Sequence, residues 1–121
     1  MNIEDFEGLS IDVVSDTSFT LKAVGIGEFD FDDADEIADA KSEASNKAKA
    51  LMIRFAKQSP IALGDLKKFV RGNADDGKLA KIAAALADIA KNGSLQGVAL
   101  GSMVKDGGTI QIEAKMSVAI G

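Results

Sequence analysis

The sequence predicts an α+β domain in two layers, an antiparallel sheet of three or four strands with two long helices on one face. Three observations lead there. Residues 18–26 and 109–120 alternate apolar with polar side chains, the period of a strand with one buried face. Residues 33–57 and 74–91 instead repeat apolar side chains every three or four positions, as a helix packed along one stripe does. Lys105-Asp106-Gly107-Gly108, just before the second alternating run, has the chemistry of a hairpin turn.

Taken in order, Met1 to Gly8 is acidic and Leu9 to Val13 alternates briefly, so residues 1–17 are expected to form a loosely held arm or a short edge strand. In the strand that follows, Phe19, Leu21 and Ala23 share one face. Val24 and Ile26 lie on the other, which implies cover on both faces near the strand's end. The first long helix presents Ala34, Ile37, Ala38, Ala44, Ala48, Leu51, Met52 and Phe55, and its alanines permit close backbone approach. Pro60 stops it. A short helix is expected within Ile61 to Val70, ended by Arg71-Gly72-Asn73. The second long helix carries Leu79, Ile82, Ala83, Leu86 and Ala90 toward the stop at Asn92-Gly93. Leu95 to Val104 reads as a glycine-punctuated strand, hairpin-linked to the last one. Neither a linker nor a repeat divides residues 1–121, so one domain is expected.

Composition narrows the function. With 19 acidic against 14 basic residues the net charge is −5, which disfavours nucleic acid and anionic membrane surfaces as partners. The chain has no His, Cys, Tyr or Trp. Catalysis through an imidazole base or a thiolate, and zinc or haem sites built on those ligands, are thereby excluded. The sequence has no apolar run long enough for a membrane span, and Met1 to Asp5 lacks the features of a signal peptide. The expected location is the periplasm or cell envelope if an export signal has been removed, and the cytoplasm otherwise.

Residues 25–36, G-I-G-E-F-D-F-D-D-A-D-E, concentrate glycines and acids. A dinucleotide fingerprint would need glycine where Asp30 stands, and the acids would repel a pyrophosphate. An EF-type calcium loop begun at Asp30 would meet Asp35 where glycine is required and Lys41 where a bidentate glutamate is required. Asp30, Asp32 and Asp35 remain weak candidates for a loosely held cation. The favoured reading is a cap: Asp30 or Asp32 closes the helix N-terminus, with Asp33, Asp35 and Glu36 in the first turn. Gly25 and Gly27 would then serve a tight strand-to-helix passage, with Phe29 and Phe31 tucked under the helix start. The pair Asp75 and Asp76 reads in the same way, as caps rather than as acid and base. Lys67, Lys68, Arg71, Lys78 and Lys81 gather near Phe69 and read as a solvated basic face.

The segment A-V-G-I-G-E, followed by the alanine-spaced helix D-A-D-E-I-A-D-A-K-S-E-A-S-N-K-A-K-A, resembles the small bacterial outer-membrane lipoprotein family and the N-terminal domain of flagellar basal-body assembly proteins. The resemblance covers residues 19–57 and, more loosely, 95–120. It implies a strand-helix-strand-strand layout and a non-enzymatic envelope or surface-assembly role, without cofactor or catalytic residues. Lipid anchoring does not carry over, because the lipobox cysteine is missing. The expected function is therefore a structural or protein-interaction module that associates with itself or a protein partner through a sheet edge. Its surface would be the side-chain-poor strip Gly97, Ala99 and Gly101, for which close packing against a helix is the simpler explanation. Alternatives are an apolar-ligand or lipid carrier lined by Phe55, Phe69, Leu86 and Met103, and an enzyme using carboxylates with a bound metal.

Overall fold

Alternation of side chains along two eleven-residue strands sets the whole architecture, because it gives the sheet one apolar face that helices must cover. The computed structural model describes residues 1–120. After one tight helical turn at Ile3–Phe6, the elements are β1 (Leu9–Ser15), β2 (Ser18–Glu28), α1 (Ala34–Ala56), α2 (Leu63–Lys67), β3 (Val70–Arg71), α3 (Asp76–Asn92), β4 (Ala99–Leu100), β5 (Val104–Asp106) and β6 (Thr109–Ala119). The fold is α+β, with two long helices and one short one.

The sheet has the order β3-β1-β2-β6-β4, and β5 continues the β4 edge alongside β6. The β2 and β6 strands pair antiparallel along their full length, from Ser18 opposite Ala119 to Glu28 opposite Thr109. This register puts Phe19, Leu21 and Ala23 beside Val118, Met116 and Ala114 on the inner face. Six strands replace the expected three or four, and the sheet is mixed rather than antiparallel, because β3 runs parallel to β1. The added strands hold two or three residues each, too few for a period to register in the sequence. Nor is the N-terminal segment an arm or an edge. Between β2 and β3, β1 buries Leu9 and Ile11, so residues 9–15 are integral to the sheet.

The first long helix lies where expected, but its buried stripe is Ala40, Ala44, Ala48, Met52 and Phe55, whereas Ala34 and Ala38 face solvent. The glycine pair explains the shift. Gly25 and Gly27 lie within β2 rather than in a passage to the helix, and α1 rests directly on them. A Cβ on Gly25 would come 1.9 Å from the Ala44 carbonyl oxygen, and one on Gly27 2.0 Å from that of Ala40. Alanines every fourth residue set against glycines every second residue thus bring helix and strand backbones together, and Ile110 and Ile112 of β6 complete this small cluster.

Beyond the alanines the helix meets larger side chains. Phe6, Phe55 and Phe69 form a triangle of edge-to-face rings with centroids 4.8 to 6.4 Å apart. Such pairs are worth about 0.5–1.5 kcal/mol each beyond their buried area. Leu79, Ile82 and Leu86 of α3 join the same cluster, which reaches Phe19 and Met116 of the sheet. Among the described residues the opposite face of the sheet carries no helix. Ile26 is 47% exposed there, so the expected cover on both faces is absent.

Candidate functional site

At the start of α1 the cap is Asp33, one residue beyond the expected Asp32. Its Oδ1 accepts the Glu36 N–H at 2.8 Å, and Glu36 reaches back to accept the Phe31 N–H, a reciprocal closure close to a capping box. Phe29 is half-buried against Ile37, but Phe31, expected to tuck under the helix, is 71% exposed. The acids do not converge. Asp30, Asp32 and Asp35 are all exposed, Asp32 is paired with Lys105, and no cluster of three or more carboxylates is placed to hold a metal ion among the described residues. On the exposed face of α1, Glu43 accepts a hydrogen bond from Lys47 at 3.0 Å, and that bond with the lysine's charge lowers the Glu43 pKa.

The other candidate groups are also dispersed. Asp75 caps α3 by accepting the Lys78 N–H at 2.8 Å, the structural role expected of the Asp75–Asp76 pair. Lys78 is drawn out of the basic cluster toward the Ser15 carbonyl and Asp16. Phe55, Phe69 and Leu86 are fully engaged in the core, while Met103 is on the surface, so these four side chains do not line a common cavity.

The surface strip at Gly97, Ala99 and Gly101 differs from the rest. All three residues are exposed. Close packing against a helix does not explain them: a Cβ at Gly97 would meet nothing within 4 Å, and one at Gly101 would meet only the adjacent Glu113. The expected continuous strand from Leu95 to Val104 is instead two short strands joined by a bulge. Leu100 stands opposite Ala114 and Val104 opposite Gln111, so Ser102 and Met103 together face the single Ile112. Bulges of this kind belong to sheet edges, where one extra residue twists the strand. Just after β4, the Gly101 N–H donates inward to the Glu113 carbonyl at 2.7 Å. Alternation in an antiparallel ladder then turns the N–H and C=O of Leu100 outward, where the described residues place no further strand.

Side-chain chemistry sharpens the feature. Residues 92–104, N-G-S-L-Q-G-V-A-L-G-S-M-V, form the longest uncharged run in a chain that is 27% charged as a whole. Leu100, Met103 and Val104 within it are 44%, 41% and 56% exposed. Edge strands are ordinarily guarded by charge, and β4 carries none; the nearest guards are the bulge and Lys105. Sequence reasoning found the small residues but missed Leu100, Met103 and Val104. The uncharged run was the available sign. The sheet's outer face is different, because Lys22 is neutralised by Asp12 and Lys115 by Glu113. Comparison with protein-family models, curated proteins and solved structures found no match to this chain. No helix among the described residues is long and apolar enough to cross a membrane.

Proposed function

We propose that the chain is a non-enzymatic protein-interaction module that docks through the β4–β5 edge of its sheet. The observation that carries this reading is the uncharged stretch from β4 to Val104, with the backbone groups of Leu100 turned outward and, among the described residues, no neighbouring strand. An extended segment added there gains main-chain hydrogen bonds and covers Leu100, Met103 and Val104, as in recognition by strand addition. The residue inventory supports a role through shape, since imidazole, thiol, phenol and indole groups are all lacking. The resemblance of residues 19–57 to envelope proteins supports a bacterial exported or envelope-associated setting.

The test uses a synthetic peptide copying residues 94–104 as the probe and amide NMR as the readout. Binding should shift the Leu100 and Lys105 amides while leaving those of α3 in place. No shift at the edge up to about 1 mM peptide, the scale of very weak binding, would contradict the reading.

A further inference from the structure

Independently of the edge-docking reading, we infer that residues 1–7 form a strap that swings about Gly8 as a unit and uncovers the aromatic pair Phe55 and Phe69 while the sheet and helices stay in place. The strap joins the sheet only at Gly8, whose carbonyl accepts the Val24 N–H at 3.1 Å, and Leu9 then enters register with Ala23. Before that point, one hydrogen bond among the described residues ties it to the body, from Arg54 Nη2 to the Asp5 carbonyl at 2.8 Å. Its other bonds are internal. Asn2 accepts the Glu4 N–H on its side chain and the Asp5 N–H on its carbonyl, so the turn travels intact. Gly8 has φ +89°, in the left-handed region that glycine adopts at no steric cost, which suits it to absorb the swing.

Burial is as concentrated as the bonding. Within the strap Phe6 is buried and Ile3 half-buried, while Met1, Asn2, Glu4, Asp5 and Glu7 are exposed. Open grooves flank it, about 570 Å³ on the side of Lys68 and Phe69 and about 440 Å³ on the side of Leu51 and Arg54, so neither flank is packed. A segment with few buried apolar contacts and few bonds opens at lower free energy than the core beneath it. Arg54 is the latch, because its guanidinium both donates to Asp5 and lies 5.4 Å from the centre of the Phe6 ring. The pair left behind does not depend on the strap. Phe55 belongs to α1, the Phe69 N–H and C=O are taken by Leu66 and Ile11, and the two rings pack on each other at 4.8 Å. In the closed state the chain's own Phe6 fills this aromatic site, so the strap controls access to it.

Without Tyr, Trp or His, the aromatic NMR spectrum of the full chain contains only its six phenylalanines. Relaxation dispersion at the Cζ carbon of each ring reads opening on the μs–ms scale, and Cζ lies on the ring-flip axis, so flips do not register. The expected result is exchange at one common rate at Phe6, Phe55 and Phe69, with a flat profile at Phe19, which is fully buried on the sheet. Arg54→Met removes the latch and keeps an apolar stem, so it should raise the open population about tenfold at those three rings alone. Gly8→Ala should raise it as well, because the closed state alone requires φ +89° at this position. Far-UV circular dichroism checks that both variants are folded. Flat profiles at the three rings in both the parent chain and Arg54→Met, exchange at Phe6 without Phe55 and Phe69, or equal exchange at Phe19 would overturn the strap. A Gly8→Ala profile equal to that of the parent chain puts the pivot elsewhere and overturns the hinge at Gly8.

Discussion

Replacing Gly25 with alanine tests the backbone contact between α1 and β2. The added Cβ would sit 1.9 Å from the Ala44 carbonyl oxygen and 2.6 Å from the Ala48 nitrogen, against 3.4–4 Å for ordinary contact. The helix must withdraw by about 1.5 Å to admit it, and overpacking of this kind costs about 1–3 kcal/mol. Backbone atoms cannot rotate away, which favours the upper end. Reduced freedom of the unfolded chain returns about 0.4–1 kcal/mol, leaving a net loss of about 2 kcal/mol. For a chain of this size that lowers Tm by about 8 °C, readable by thermal circular dichroism or calorimetry. Because the obstructing atoms are backbone, adding Ala44→Gly should not restore Tm. An unchanged Tm in Gly25→Ala, or recovery on adding Ala44→Gly, would refute the reasoning. Gly64→Ala is the control: its Cβ meets nothing within 4 Å, so a gain of about 0.5–1 kcal/mol is expected.

Asp33→Ala should cost about 1 kcal/mol in urea denaturation through loss of the cap, whereas Asp30→Ala should stay within about 0.5 kcal/mol. Phe69→Ala removes one ring of the aromatic triangle and should cost about 3–5 kcal/mol in the same assay. Lys47 lowers the Glu43 pKa in the folded chain, so the stability this pair adds is present above Glu43's ordinary 4.5 and is lost as pH falls through the lowered folded value. Glu43→Gln should remove that part of the acid-side slope when urea midpoints are followed against pH.

The long elements were legible because each repeats its period several times. The β6 strand alternates over its whole length, and α1 repeats its apolar stripe from Ile37 to Phe55, so tertiary context had little to override. Errors fell where a residue's role depends on what packs against it. Gly25 and Gly27 read as a turn because turns commonly use glycine, but their function is to admit the Ala40 and Ala44 carbonyls, which lie far along the chain. Ala34 lies before the point where α1 reaches the sheet, whereas Ala38 stands six residues before Ala44, about 120° round the helix from it, and so misses the buried stripe. At the edge, Gly97, Ala99 and Gly101 were visible as small residues, but their exposure was not, since close packing and an open edge select the same side chains. The bulge at Ser102–Met103 depends on register with Ile112, which no local pattern encodes.

Amide hydrogen exchange at Leu100, followed in dilute protein without and with the 94–104 peptide, tests most directly whether this edge is the docking surface. The expected result is fast exchange without peptide that slows as peptide is added, while the Ile112 amide in the interior strand stays unchanged. A Leu100 amide already protected without peptide, or exchanging equally fast at about 1 mM peptide, would contradict it.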